Sequence, residues 1–306
     1  MTFDARMIPT DAAVTMTPAA HGWPLRTYRQ PARGAARGNI LWLGGRGDIF
    51  EKYLETFDHW ASRGWSVTSF DWRGQGGSGR LGPDANVGHV DRFAPWIDDL
   101  THFFDAWRAR EAGTRIVMGH SMGGHLLLRA LAEARVAPDK AVLVAPMLSF
   151  DTGPLPFRLA AFFARGMARL SARRRAWKHN ERPGPPGASR QAYLTRDDVR
   201  YSDELWWKER DPSLALGPPS WSWLAAAYRS IARLQRPGAV ERVTTPILIV
   251  GSDGDKLVSP AAMRAFAARL PNAKLEMFDA EVAHEILRET DAARDAALAA
   301  IDRFIA

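Results

Sequence analysis

The amino-acid sequence predicts an α/β fold in which helices flank a mostly parallel central sheet of about eight strands, with an inserted helical cap. Three observations support this prediction. Short apolar runs alternate with stretches of helical spacing through the first half of the chain, as in a sheet covered by helices. The alternation stops between residues 147 and 236 and then resumes. The 306 residues suffice for one large domain carrying an insertion.

The individual elements follow from the spacing of the apolar residues. In the predicted helix 95–110, for example, Trp96, Leu100 and Phe103 recur at helical intervals and share one face. The predicted strands are 22–29, 39–43, 66–70, 115–118, 141–144, 246–250 and 274–278. The predicted helices are 51–63, 95–110, 126–131, 260–270 and a last helix from about residue 290. This order assigns residues 1–146 and 237–306 to the core and 147–236 to the cap.

Composition excludes several classes of function. The chain has no cysteine, and none of its eight histidines are spaced as in a compact metal site, so we expect neither a metal nor another cofactor. Its formal net charge of +7 comes from the cap, which holds sixteen Arg and Lys against eight Asp and Glu. No nucleic-acid-binding motif accompanies these charges, so we expect an anionic partner other than nucleic acid.

The hydropathy pattern bears on location. No uncharged apolar stretch approaches the roughly eighteen residues that cross a bilayer, and residues 1–20 lack the apolar core of a signal peptide. We therefore expect a cytoplasmic protein, whose basic cap suggests peripheral contact with the anionic inner face of the cell membrane. The sequence does not determine the oligomeric state.

The pentapeptide Gly119-His120-Ser121-Met122-Gly123 carries the main functional signal. It follows a short apolar run and precedes a stretch of helical spacing, as a nucleophile elbow does. Glycines two residues before and after Ser121 would let strand and helix approach each other. The alternative is a structural serine in a tight turn. With an elbow of this kind, the acid and the base follow the nucleophile in the order Ser, Asp, His.

That order selects the partners of Ser121. His284 is the only histidine after the cap, and we predict that it is the general base, the alternative being a solvated surface histidine. The acid should follow the strand 246–250, where Asp253 and Asp255 both lie. Asp255 is preferred, because Asp253 precedes Gly254 and Asp-Gly is a turn-forming dipeptide.

Acyl transfer also needs two N–H groups directed at the developing oxyanion. Met122, the residue after the nucleophile, would supply one. The glycine-rich turn Gly44-Gly45-Arg46-Gly47 follows an early strand, and we predict the N–H of Arg46 as the second donor. The turn could instead be only a tight connection. His120 and His125 flank the elbow and are predicted to be packing or pocket residues.

Several stretches resemble the serine hydrolases of the monoacylglycerol lipase and bacterial lysophospholipase group within the α/β-hydrolase superfamily. The segment 44–48 resembles the oxyanion segment, with Gly44 where a His is common, and 71–78 is similar to an Asp-His-Arg-Gly-x-Gly-x-Ser signature, with Trp72 at the His position. The segments 255–258 and 284–287 resemble the acid and base segments. Segments 88–93, 194–198 and 221–224 look closer to the bacterial inner-membrane lysophospholipases.

The cap is expected to cover the carboxyl edge of the sheet, where ligands of α/β proteins bind. Leu159, Phe163, Met167 and Leu170 are predicted to share one helical face, with Arg158, Arg165, Arg169 and Arg173 opposite and Phe162 outside the stripe. Such a helix could contact a membrane, or its apolar face could pack on the core. His120, Trp206 and Trp223 are candidate substrate-binding residues, although packing accounts for the tryptophans equally well.

The resemblance implies a serine carboxylic-ester hydrolase that releases a fatty acid from a lysophospholipid or monoacylglycerol through an acyl-enzyme. The partner would then be an amphiphilic lipid ester. Two alternatives stay open: a small-ester hydrolase or peptidase with the same triad, and a catalytically silent lipid-binding protein with the fold of a hydrolase.

Overall fold

An eight-stranded sheet forms the centre of the described part of the protein. The structure, a computed structural model, describes residues 3–150, 155–176 and 190–306. The strands are β1 (Ala13–Pro18), β2 (Pro24–Gln30), β3 (Gly38–Leu43), β4 (Trp65–Phe70), β5 (Thr114–His120), β6 (Lys140–Val144), β7 (Ile247–Ser252) and β8 (Ala273–Phe278). They form one eight-stranded sheet in the order β1-β2-β4-β3-β5-β6-β7-β8. The predicted fold class is confirmed.

Most of the sheet is parallel. β2 pairs antiparallel with β1 and β4, and the remaining neighbours pair in parallel. The carboxyl ends of β5, β7 and β8 therefore lie on one edge of the sheet. Ser121 follows β5, Asp255 follows β7 and His284 follows β8, so the topology brings three distant parts of the chain to one place.

The strand β1 was not predicted from the sequence. It lies at the end of the sheet, and both Val14 and Met16 are exposed, the latter at 55%. Val14 and Met16 alternate with Thr15 and Thr17, but this run of four residues is short, and no residue of β1 is buried. β2 begins at Pro24 rather than at residue 22, because His21 and Gly22 adopt positive φ in the preceding turn.

Helices cover both faces of the sheet. They are α1 (Leu54–Ala61), α2 (Ala94–Arg110), α3 (Met122–Ala132), α4 (Phe157–Ser171), α5 (Gln191–Leu194), α6 (Asp198–Arg210), α7 (Trp221–Gln235), α8 (Pro260–Arg269) and α9 (Asp291–Ile305). The predicted helix 51–63 is a 3₁₀ turn, Phe50–Tyr53, followed by α1.

The core has two halves, one on each face of the sheet. Along β3, Leu41 and Leu43 join the half that packs under α2, α3, α7 and α8, whereas Ile40 and Trp42 join the half under α1 and α9. This alternation is the two-residue period of a strand buried on both faces.

Among the described residues between β6 and β7, the helices are α4 to α7. Two of them, α4 and α7, differ in how they pack on the rest of the protein. Ile231 of α7 is part of the main core. In contrast, α4 packs on α7 through Ala160 and Ala164. The boundaries 147–236 for the cap stay a prediction. Within the described ranges, no helix combines the length and apolar character needed to cross a bilayer.

Candidate active site

Ser121 occupies a sharp turn between β5 and α3. Its backbone has φ +50° and ψ −114°, a conformation that costs free energy for a residue with a side chain. Neighbouring backbone holds it there: the Ser121 N–H donates to the Val144 carbonyl at 2.9 Å, and its carbonyl accepts from the Met147 N–H at 3.0 Å. The turn thus has the geometry of a nucleophile elbow.

Close backbone contacts require glycine two residues before and two residues after Ser121. A Cβ on Gly119 would lie 2.6 Å from the Gly123 carbonyl carbon. A Cβ on Gly123 would lie 2.2 Å from the Leu43 carbonyl oxygen. Both distances are far below van der Waals contact, so any larger residue would push α3 away from the sheet.

The loops after β7 and β8 bring an imidazole and a carboxylate together. His284 Nδ1 lies 2.6 Å from Asp255 Oδ2, and both side chains are buried. The other Asp255 oxygen, Oδ1, accepts from the backbone N–H groups of Leu257 and Val258 at 2.8 and 3.0 Å. These bonds fix the carboxylate so that it orients the imidazole.

Asp253, the alternative acid, lies elsewhere. Its carboxylate forms two parallel hydrogen bonds with Arg264 of α8, at 2.7 and 2.8 Å. The Asp253 side chain is 45% exposed. Of the two carboxylates that the sequence offered, Asp255 is therefore the one that contacts His284.

The electrostatics of the pair favour charge on both groups. Burial disfavours the charged imidazolium, but attraction to Asp255, with smaller contributions from Glu285 and Asp48, raises the pKa of His284. Burial likewise disfavours the Asp255 carboxylate, but His284 and the backbone N–H groups hold its pKa below the ordinary value. An ionised Asp255 can therefore stabilise the imidazolium that forms when a base takes a proton.

The predicted oxyanion donors lie on the elbow and on the loop after β3. Met122 is the first residue of α3. A Cβ on Gly45 would lie 3.1 Å from the Ser121 Cβ, so residues 44–47 pass beside the serine. The N–H groups of Gly45 and Gly47 already donate, at 2.7 Å to Asp48 Oδ2 and at 2.6 Å to Gln75 Oε1. Arg46 lies between these two anchored residues.

The segment 71–78 supports the same loop. The Trp72 indole N–H donates to the Gly44 carbonyl at 2.8 Å, and Gln75 accepts from Gly47 as described above. The two positions at which this chain departs from the family signatures, Gly44 and Trp72, are thus in direct contact.

The three candidate substrate-binding residues have different surroundings. His120 is buried, and its Nδ1 lies 3.0 Å from Asp48 Oδ2 and 2.9 Å from the Tyr53 hydroxyl. Trp223 is buried among aromatic rings, 5.7 Å from Phe93 between centroids, with the Arg46 guanidinium 5.4 Å above its ring. Trp206 stacks edge-on against Trp207 and lies under Arg210. Of the three, Trp223 contacts Arg46 and His120 contacts Asp48, so both lie against the segment 44–48. Substrate binding by all three stays a prediction.

A buried ionic cluster, which was not predicted from the sequence, lies next to these residues. Six charged side chains, each at most 8% exposed, contact one another. We name it the buried ion cluster; its members are Asp48, Lys52, Glu204, Lys208, Glu285 and Arg288. Three of its pairs, Asp48–Lys52, Glu204–Lys208 and Glu285–Arg288, are three or four residues apart, a weak local signal. The contacts that join these pairs to one another connect residues far apart in the sequence.

The helix α4 turns its large apolar residues outward. Leu155 before the helix and Leu159, Phe162, Phe163 and Leu170 within it are all exposed, Leu170 at 82%. The alternative that the apolar face packs on the core is wrong, because these side chains are exposed. The small Ala160 and Ala164 pack on α7 instead. Phe162 lies beside one of the arginines of α4, with the Arg165 guanidinium 6.0 Å from its ring.

Proteins of known family are similar to this chain over most of its length. Residues 34–291 match the family model for serine aminopeptidase S33. The chain is 26% identical to a probable lysophospholipase L2 of Haemophilus influenzae over 282 residues, which cover 89% of this chain and 84% of that protein. It is 27% identical to lysophospholipase L2 of Escherichia coli K12 over an alignment of 323 positions, which covers 96% of this chain and 91% of that protein.

Solved structures give the same fold. A soluble variant of the Saccharomyces cerevisiae monoglyceride lipase superposes with a TM-score of 0.77 at 17% identity, covering 99% of this chain and 98% of that one. The monoacylglycerol lipase of Paleococcus ferrophilus superposes with a TM-score of 0.68 at 17% identity, covering 91% and 98%. The predicted resemblance to the lysophospholipase and monoacylglycerol lipase group is confirmed. With the α/β-hydrolase fold and a family match that spans most of its length, the chain belongs to the serine aminopeptidase S33 family of hydrolases.

Proposed function

We propose that this protein is a serine carboxylic-ester hydrolase that releases a fatty acid from a lysophospholipid or a monoacylglycerol. The observation that carries the proposal is the 2.6 Å bond between His284 Nδ1 and Asp255 Oδ2 on the sheet edge where Ser121 forms a strained elbow. The lysophospholipases L2 and monoacylglycerol lipases among its relatives support an acyl-lipid substrate.

The first half of the reaction forms an acyl-enzyme. Ser121 Oγ attacks the ester carbonyl carbon while His284 Nε2 takes the hydroxyl proton, because Nδ1 is held by Asp255. The carbonyl oxygen becomes an oxyanion that accepts hydrogen bonds from the backbone N–H groups of Arg46 and Met122. The bond to the glycerol oxygen then breaks, and His284 returns its proton to that oxygen.

The second half consumes one water molecule. His284 removes a proton from the water, whose oxygen attacks the acyl carbon and forms a second oxyanion. The bond to Ser121 Oγ breaks, the serine recovers its proton from His284, and the fatty acid leaves. The enzyme returns to its starting state without a cofactor in either half.

The Ser121→Ala variant tests this mechanism. It should fold as the parent and lose hydrolysis of a short-chain nitrophenyl ester by at least about 10³-fold, because the attacking oxygen is gone. A fluorophosphonate should label the parent at Ser121 and fail to label the variant. Parental activity in the variant would refute the mechanism, and an unlabelled, inactive parent would instead support a silent lipid-binding protein.

A substrate panel separates the lipid ester from the other enzyme hypotheses. The lipid hydrolase should prefer long amphiphilic esters, so kcat/KM should rise with acyl length for monoacylglycerols and lysophospholipids. The family description names an aminopeptidase, so aminoacyl nitroanilides belong in the panel. Greater activity on those amides than on any ester would favour a peptidase.

We also propose that α4 attaches the protein to an anionic phospholipid membrane. Leu159, Phe162, Phe163 and Leu170 of α4 are each more than half exposed. Arg158, Arg165 and Arg169 are exposed on the same helix. An apolar face beside cationic side chains suits insertion between acyl chains with the arginines at the phosphate groups. The enzyme would then sit where its substrate resides.

Co-sedimentation with vesicles tests the attachment. Binding should be stronger to phosphatidylglycerol than to phosphatidylcholine vesicles and should weaken with salt, because ions screen the arginines. Phe162→Glu/Phe163→Glu should reduce binding at least about tenfold, as two apolar side chains are lost from the bilayer. Val199→Glu, at a residue of α6 that is 70% exposed, is the matched control and should bind as the parent. Equal binding by all three proteins would contradict the proposal.

A further inference from the structure

Segment 191–208, within the predicted cap, is bonded to the part of the chain that carries His284. The Glu285 N–H donates to the Leu194 carbonyl at 2.7 Å. The Thr195 hydroxyl donates to the Arg288 carbonyl at 2.6 Å. These bonds attach the predicted cap directly beside the proposed base.

The same segment reaches the proposed oxyanion loop through the buried ion cluster. Glu204 Oε2 of α6 lies 3.2 Å from Lys52 Nζ. Lys52 Nζ in turn lies 2.6 Å from Asp48 Oδ1, and Asp48 Oδ2 accepts the Gly45 N–H at 2.7 Å. Gly45 is the residue before Arg46, so the chain of contacts from α6 ends one peptide from the proposed oxyanion donor.

Glu204 also connects to the residue after His284. Lys52 Nζ lies 2.6 Å from Glu285 Oε1, and Arg288 bonds to both Glu285 and Glu204, the latter at 3.2 Å. Glu204 is fully buried. Burial disfavours its charged form, but the attraction of Lys208 and Lys52 holds its pKa well below the ordinary value. It is therefore an ionised carboxylate that connects Lys52, which contacts Asp48, with Arg288, which contacts Glu285.

We propose that Glu204 is a positioning residue for the reaction, which holds the oxyanion loop and the His284 segment in register from the cap. This inference rests on the proposed function. The buried ion cluster contains three acids and three bases, and Glu204 bonds to all three bases. The segment 191–208 is thus a fixed part of the active centre, whereas α4 packs on α7 through Ala160 and Ala164.

The test compares Glu204→Gln with Glu209→Gln, an exposed position in the next turn of α6. The amide keeps the shape but loses the charge that bonds the bases. For a short-chain nitrophenyl ester, kcat should fall about 10- to 100-fold with KM within about twofold, because misplaced catalytic groups slow chemistry more than binding. Fluorophosphonate labelling of Ser121 should slow in parallel. Glu209→Gln should match the parent in all three measurements.

A second variant covers the case in which an unbalanced buried charge prevents folding. Glu204→Gln/Lys208→Met removes one acid and one base and keeps the cluster neutral. It still lacks the contacts of Glu204 with Lys52 and Arg288, so the same loss of kcat is expected in the folded protein. A parental kcat in a folded variant, or a loss that only follows the unfolded fraction, would overturn the positioning role. An unlabelled, inactive parent would instead refute the proposed function itself.

Discussion

The imidazole rings of His120 and His284 lie with their centroids 4.8 Å apart and their planes tilted by 54°. His284 bonds to Asp255, whereas His120 bonds to Asp48 and Tyr53. Two adjacent histidines therefore belong to separate networks, one that includes the proposed base and one that leads to the buried ion cluster.

Replacing His120 with alanine should destabilise the protein by about 2–4 kcal/mol. The variant would leave a cavity and would remove a hydrogen-bond partner from the buried Asp48 carboxylate and Tyr53 hydroxyl. Urea unfolding measures the difference. His21→Ala, at an exposed histidine, is the control and should change stability by less than about 0.5 kcal/mol. A cost below about 1 kcal/mol for His120→Ala would contradict its assignment to this network.

The two acids after β7 should differ in their effect on activity. Asp255→Asn should lower kcat by about 10³–10⁴-fold, because the amide no longer orients the imidazole or stabilises its charge. Asp253→Asn removes only an exposed pair with Arg264 and should leave kcat within about twofold of the parent. Steady-state kinetics on a nitrophenyl ester checks both. The reverse order of effects would reassign the acid.

The dependence of activity on pH should report the raised pKa of His284. The base must be neutral to accept a proton, so kcat/KM should fall as pH drops through that pKa, with a midpoint above about 6.5. Asp255→Asn should move the midpoint to lower pH, because the imidazolium loses its nearest negative charge. An unchanged or higher midpoint in the variant would show that another group controls the acid limb.

The same shift affects stability in the opposite direction. The raised pKa of His284 contributes stability that is complete below the unfolded pKa and is lost as pH rises through the folded pKa. Urea unfolding across this pH range measures the contribution. It should be present at low pH, and it should be smaller in Asp255→Asn than in the parent. Through His284, a rise in pH therefore increases activity and decreases this contribution to stability.

Replacing a glycine with alanine should have opposite effects on stability in the elbow and in the exposed helix α4. Gly123→Ala places a Cβ 2.2 Å from the Leu43 carbonyl oxygen and should cost about 3 kcal/mol or more, because α3 must shift from the sheet. A Cβ at Gly166 of α4 meets nothing within 4 Å, so Gly166→Ala should stabilise by up to about 1 kcal/mol. Thermal unfolding of the two variants measures the contrast. Equal effects would be incompatible with the close packing of the elbow.

The sequence alone determined the sheet, the elbow and the order of the chemical groups along the chain. These features depend on local patterns: apolar periodicity predicts strands and helices, and glycines around Ser121 predict a turn between them. β1 was not predicted, because its alternation spans only Val14 to Thr17 and none of its residues is buried.

Only the tertiary structure decided which groups meet. It placed Asp255 against His284, as the Asp-Gly dipeptide had favoured, and paired Asp253 with Arg264. It turned the apolar stripe of α4 outward, because helical spacing defines a face without defining what that face contacts. It also assembled the buried ion cluster from three separate segments of the chain, residues 48–52, 204–208 and 285–288. Burial makes each of those charges costly alone and stable only together, and that balance exists only once the chain has folded.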